Sequence, residues 1–249
     1  MSVHFTVTST AKNAVQWVPK CIESVRRQTY QNWYHVYSAA DADTHVAAVH
    51  CLHSRLAAQY SSASILENVW RVWKELPDDE IIVWLDGDDW LATDHALQII
   101  ADAYADEPAP WLTYGSFKFS SHPGVETPYL GTRYPQGANV RRDVWRASHL
   151  KTFRAGLVKR IDERDLKRRD GSWIDLCTDR AFMLPMLEMA GERYTALPHV
   201  LSVYNWEASY SYANAGEDPA HASARIREEE TRAYLHNLRA YRRLNERPW

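Results

Sequence analysis

The sequence predicts an α/β fold: a mostly parallel central sheet flanked by helices, with a helical C-terminal extension. Three observations predict it. Strand and helix patterns alternate through roughly the first 110 residues, as in layered α/β proteins. One strand, Ile81-Ile82-Val83-Trp84-Leu85, is apolar at every position, which suits burial on both faces of a parallel sheet. At 45% hydrophobic and 24% charged residues, the 249-residue chain has the make-up of a folded globular protein, which sets aside disordered, collagenous and membrane-spanning classes.

Taken in order, His4 to Thr8 reads as a strand because Phe5 and Val7 alternate, and Ser9 to Asn13 as the loop leaving it. Val18, Cys21, Ile22 and Val25 stand at helical spacing, with Pro19 tolerated in the first turn. Trp33 to Ser38 is a second strand, followed by a loop at Ala39 to Asp43. Residues 44–60 carry a weak helical pattern and Ile65 to Lys74 a clear one, with Leu66, Val69, Trp70 and Trp73 on one face. After the Ile81–Leu85 strand, a helix is expected over Asp94 to Tyr104 with Thr93 as its N-cap. The second half is less regular. Trp111 to Phe119 reads as one or two strands, and 120–140, rich in Gly, Pro and Ser, as a long loop. Arg180 to Ala190 is a helix closed by Gly191, Val200 to Tyr204 a strand, and Ala220 to Leu244 a charged helix.

No window approaches 18 uninterrupted apolar residues, and MSVHFTVTST has neither a basic nor an apolar leader segment. The expectation is a cytoplasmic protein, or one touching membranes only peripherally. Cys21, Cys51 and Cys177 are odd in number and lack a CxxC spacing, so buried reduced thiols are expected rather than a disulfide framework or zinc site. Eleven tryptophans and fourteen tyrosines serve a core first, and hint at a ligand that stacks on rings. The net charge of −3 hides an asymmetry: residues 133–169 hold twelve Lys/Arg against four Asp/Glu. Such a stretch is a solvated helical face or a surface for phosphate-bearing ligands.

Chemistry concentrates where Ile81–Leu85 ends in Asp86-Gly87-Asp88-Asp89. Open α/β sheets bind ligands beyond the carboxyl ends of their strands. Three carboxylates in four residues repel one another, and a bound cation is the natural compensation. Oxygen ligands suit Mg²⁺ or Mn²⁺, ions that also bind phosphate oxygens, so a diphosphate partner is implied. A Ca²⁺ loop of the EF-hand kind wants a ligand where Trp90 stands, and the GxxxxGK[ST] of a phosphate-binding loop is absent. An aspartyl phosphatase, which also places DxD after a buried strand, is the better rival, although its motif is expected early in the chain.

The succession of an N-terminal strand, IESVRRQTYQNW, a second strand, Asn68 and IIVWLDGDDWLA resembles glycosyltransferase family 2, of the GT-A type. HLKTFR at His149 to Arg154 and TDRAFMLPMLEMAG at Thr178 to Gly191 resemble a subset of that family found in viruses and bacteria. The resemblance spans roughly residues 3–205. It implies a GT-A-type nucleotide-sugar-binding fold in one catalytic domain over 1–215, with a donor-binding half (1–115), an acceptor-binding half (116–215) and a C-terminal helix (216–249). Thr8, Ser9 and Asp41 are then expected to line the nucleoside pocket, although Ala39-Ala40 stand where the family has an acidic pair. Asn68 is expected near the ribose or diphosphate, Asp86 on the ribose side with Gly87, and Asp88 and Asp89 on the metal, Mn²⁺ or Mg²⁺. Asp179 takes the place of the catalytic base, with Thr178 where the family has Glu.

The implied activity is inverting, metal-dependent transfer from a UDP- or dTDP-sugar to an acceptor hydroxyl, with an Asp as general base. His149 and Lys151 are candidates to reach the phosphates, Asp175 is a competing base, and His199 and His221 are candidate third metal ligands. The acceptor is open among glycans, lipids, proteins and small molecules. The basic stretch keeps a less favoured nucleic-acid acceptor, a hydroxylated base of phage-type DNA, in view. A non-catalytic nucleotide-binding module and the phosphatase remain as alternatives.

Overall fold

The computed structural model describes residues 3–121, 127–208 and 219–249, the side chains of 219–222 and 224 excepted. Eight strands form one mixed sheet: β1 (Phe5–Ala11), β2 (Trp33–Ala39), β3 (Leu56–Tyr60), β4 (Ile81–Trp84), β5 (Trp90–Leu91), β6 (Leu112–Phe119), β7 (Lys151–Arg154) and β8 (Tyr194–Tyr204), in the order β3-β2-β1-β4-β7-β6-β8-β5. The first four neighbours are parallel. Beyond β4 the sheet changes sense, because β7 runs antiparallel to both β4 and β6, while β6 and β8 pair in parallel.

Helices α1 (Val18–Arg26), α2 (Ala42–Val49), α3 (Ile65–Glu75), α4 (Ala96–Ala105), the short α5 (Ala155–Val158), α6 (Thr178–Ala190) and α7 (Pro219–Asn237) complete the described elements, with a 3-10 turn at Glu163–Leu166. Two cores cover the sheet. β4 shows why its sequence is apolar throughout: Ile81 and Val83 join the core with α1 and α4, while Ile82 and Trp84 join the core with α3 and α6. Successive side chains of a strand point to opposite faces, so a strand covered on both sides favours apolar residues at every position.

Several expectations need correction. β1 does not stop at Thr8; Ser9, Thr10 and Ala11 continue it by pairing with Tyr37, Ser38 and Ala39. The weak pattern over 44–60 resolves into α2 and the edge strand β3, whose Leu-Ala-Ala-Gln-Tyr lacks β-branched residues. α4 is preceded by His95 rather than capped by Thr93. β8 begins at Tyr194, and α7 ends at Asn237 rather than Leu244. β5 and β7 had not been foreseen. Part of the 120–140 loop, residues 122–126, lies outside the described residues.

Candidate active site

The acidic loop is fixed at its centre and at both ends. The backbone N–H of Leu85 donates to the Thr8 carbonyl and that of Gly87 to the Thr10 carbonyl, prolonging the β1–β4 ladder past the strand end. The Asp89 N–H closes a turn onto the Asp86 carbonyl, and Trp90 and Leu91 then pair with Val203 and Ser202 of β8. The Tyr37 phenol donates to the Gly87 carbonyl at 2.8 Å. The backbone path of the loop is therefore defined.

Asp86 Oδ1 accepts from the Trp84 indole at 3.0 Å, and its Oδ2 lies 3.7 Å from His149 Nδ1. Asp89, 3% exposed, accepts from the Asn205 backbone N–H at 2.7 Å. Ligand atoms of Asp86, Asp89 and His149 all lie within 4.8 Å of one another. The register explains how residues 63 positions apart meet: Trp84 pairs with Lys151 across β4 and β7, and continuing that antiparallel pairing sets position 86 opposite 149. Burial first, then the neighbouring Asp88, pushes the Asp86 carboxyl up to about 7. Burial raises Asp88 as well, and burial with Asp88 and Asp86 raises Asp89 well above the usual carboxylate range. Burial and then Lys151 depress His149 to about 3, leaving it a neutral imidazole able to serve as a ligand. Crowded buried carboxylates beside a neutral imidazole are the donor set a divalent cation would satisfy.

A cavity of about 460 Å³ opens at this end of the sheet. Asp86, Asp88 and Asp89 form its floor. Thr10, Ala11, Lys12 and Ala40 line one side with Ser62 to Ile65, and Asp175 to Thr178 line another with Tyr204, Asn205, Ala208 and Arg227.

The expected nucleoside residues are placed differently. Thr8 accepts from the Trp73 indole, and Ser9 bonds His35; both are buried within β1, and the cavity wall falls instead to Thr10 and its successors. Asp41 caps α2 through Thr44 N–H and also accepts from the Asn13 N–H, so both carboxylate oxygens are taken up in joining two loops. Asn68 donates to the carbonyls of Ser61 and Ala63, holding the segment that lines the cavity without lining it.

Lys151 is fully buried, its ammonium 3.2 Å from Asp179 in the first turn of α6. Burial works to raise the Asp179 carboxyl, but Lys151, with Arg180 behind it, outweighs burial and holds the group below its ordinary value. Asp175 lines the cavity and pairs with Arg168. His199 is exposed on β8 and is absent from the Asp86–Asp89–His149 group; the side chain of His221 lies outside the described residues.

The basic stretch is largely spent internally. Arg141 forms a buried pair with Glu188, Arg133 pairs with Glu192, Lys159 with Asp78, Lys167 with Glu163 and Arg168 with Asp175. Sequence reading missed Thr10, Lys12, Asn205 and Arg227 as cavity residues. Thr10 was within reach of it, since a longer β1 moves the strand end onto that residue; Asn205 and Arg227 carry no local signal.

No family model and no curated protein matches the sequence. Solved structures do match by shape. The chain superposes on TarS of S. aureus with a TM-score of 0.62 at 14% identity, over 93% of its own length but only 44% of that chain. With TarS 1-349 in complex with UDP-GlcNAc the TM-score is 0.54 at 13% identity, covering 95% of this chain and 68% of the other. With the mannosyltransferase PcManGT from Pyrobaculum calidifontis, in complex with GDP-Man and Mn²⁺, it is 0.55 at 16% identity, covering 95% and 71%. At these identities the likeness is one of fold, and this chain shares the fold of those proteins.

Proposed function

We propose that this protein is a metal-dependent glycosyltransferase that moves a sugar from a nucleotide-sugar donor to an acceptor hydroxyl. The observation that carries the reading is the approach of ligand atoms of Asp86, Asp89 and His149 to within 4.8 Å of one another, beside a cavity that the two aspartates line at the carboxyl end of the parallel strands. Two carboxylates and an imidazole suit Mn²⁺ better than Mg²⁺. When bound, such an ion supplies Lewis-acid stabilisation of a leaving diphosphate. The cavity wall at Thr10, Ala40 and Ser62 to Ser64 is the place for the nucleoside, and Lys12 and Arg227 bring the positive charge that a diphosphate attracts.

Asp179, held ionised by Lys151, is the general base in this reading, taking the proton of the acceptor hydroxyl. Attack from the face opposite the leaving group inverts the anomeric centre. Lys151 acts through Asp179, since a fully buried ammonium facing that carboxylate is not placed to reach phosphates. The internal pairing of the basic stretch removes the main support for a nucleic-acid acceptor.

Thermal denaturation with UDP, GDP, dTDP and their sugars, with and without Mn²⁺, tests the proposal. A ligand at a hundredfold excess over its dissociation constant adds about 2.7 kcal/mol to native stability. An Mn²⁺-dependent rise with one nucleotide family, accompanied by release of that nucleoside diphosphate from its sugar donor, is expected. Absence of any rise across the panel sinks the reading.

A further inference from the structure

Asn205 directly follows β8, is 1% exposed and lines the cavity alongside Asp86 and Asp89. Its backbone N–H donates to Asp89 Oδ1 at 2.7 Å, which ties its position to the acidic loop. Its side-chain Oδ1 accepts from the Glu207 N–H at 3.1 Å. A backbone N–H needs an acceptor, so this bond orients the amide and leaves Nδ2 as the end turned away from it. Nδ2 has no hydrogen-bond partner among the described residues. Buried amide donors are seldom left unpaired, because an unmade bond forfeits the hydration given up on burial.

We propose that Asn205 is a donor-specificity residue: Nδ2 donates a hydrogen bond to a hydroxyl oxygen of the sugar being transferred. The inference rests on the glycosyltransferase reading above and adds a part of the substrate to it. Position gives the first reason. The backbone N–H of Asn205 is bonded to Asp89, one of the three groups of the candidate metal position, which holds the residue close to where the leaving diphosphate and the sugar joined to it would lie. Chemistry gives the second. The charge of a diphosphate would be met by Lys12, Arg227 and a divalent cation held by Asp86, Asp89 and His149, whereas a neutral amide in one fixed orientation tells one hydroxyl arrangement from another. A site whose buried donor goes unpaired with the wrong sugar rejects that sugar more strongly than a merely apolar wall does. Thr10 also lines the cavity, and its buried Oγ1 has no partner among the described residues, but it belongs to β1 and the nucleoside side.

The test is calorimetric titration, in Mn²⁺, of the wild type and Asn205→Ser with UDP-GlcNAc against UDP and with GDP-mannose against GDP. Serine keeps an oxygen that can accept from the Glu207 N–H and removes the Nδ2 donor. For the nucleotide family that the wild type binds, the variant is expected to lose about tenfold in affinity for the sugar nucleotide and to keep its affinity for the diphosphate. An equal loss for both ligands assigns Asn205 to the diphosphate or to structure and overturns the inference, as does no loss for either. A wild type that binds none of these ligands, nor dTDP and dTDP-glucose titrated in the same way, overturns the function reading itself and this inference with it. Should the serine variant not fold, monodeoxy analogues of the bound sugar nucleotide titrated against the wild type decide: one is expected to bind about tenfold less tightly, and uniform affinity across the series overturns the inference.

Discussion

The phenol of Tyr37 donates a 2.8 Å hydrogen bond to the carbonyl of Gly87, and the space above Gly87 is filled by that same phenol. A side chain on β2 thereby sets the path of the acidic loop that leaves β4. Because the contact is both polar and steric, it can be broken in two ways with different outcomes.

A Cβ at position 87 would lie 2.7 Å from the Tyr37 oxygen and 2.9 Å from Ala11 Cβ, closer than such atoms approach. Gly87→Ala is expected to destabilise the fold by about 1–3 kcal/mol through overpacking and to abolish Mn²⁺-dependent nucleotide binding by displacing Asp86 and Asp88. Tyr37→Phe removes only the hydrogen bond, with an expected cost of about 1 kcal/mol and binding retained. Urea denaturation and calorimetry measure both.

Lys151 and Asp179 form a pair whose cation has no access to water. Either single neutral variant, Lys151→Met or Asp179→Asn, leaves its partner uncompensated and is expected to cost about 3 kcal/mol. The double variant is expected to recover much of that stability while remaining without turnover, because the base is gone. Recovery of transfer activity in the double variant would remove Asp179 from the mechanism.

Asp86→Ala and His149→Ala are each expected to weaken Mn²⁺ binding by about a hundredfold or more, since changes even outside the ligand shell commonly cost ten- to a hundredfold. Asp88→Ala is expected to retain Mn²⁺ binding, as Asp88 is absent from the converging group. Competition with a fluorescent Mn²⁺ indicator distinguishes the two patterns. A reversed ranking would restore the Asp88–Asp89 pair expected from sequence.

His35 is fully buried, with Nε2 3.0 Å from Ser9 Oγ, and burial, then the charge of His53, depresses its protonation from 6.5 to about 3. The unfolded chain takes up this proton near pH 6.5, the folded chain only near pH 3, so this residue's contribution to stability falls as pH is lowered between those values. The stability of the wild type relative to His35→Gln is therefore expected to drop by about 2 kcal/mol between pH 7 and pH 5. Parallel urea curves at the two pH values would show that His35 is not held neutral.

Several elements were legible because their signals are local. The Val18–Val25 and Ile65–Trp73 spacings, and the unbroken apolar run of β4, each state how a short segment meets a core. β5, with two residues, is too short to carry a period. β7 was hidden for a different reason: Lys-Thr-Phe-Arg reads as surface, yet all four residues are buried between β4 and β6, with the charge of Lys151 opposed by Asp179 and Arg154 reaching the Asp79 carbonyl. A charge compensated by a residue far along the chain leaves no trace in its own window.

The same division runs through the site. By itself the sequence determined β1, α1, β2, α3, β4 and α4 in outline, though not β3 or β5, and an acidic loop at the carboxyl end of a doubly buried strand, since burial and turn chemistry act over a few residues. Tertiary structure alone decided that His149, and not His199, meets Asp86 and Asp89, that Lys151 serves Asp179, and that Asn205 reaches the cavity. Those relationships depend on the antiparallel register of β7 against β4 and of β5 against β8, and strand register is set by contacts between segments that are distant in the chain.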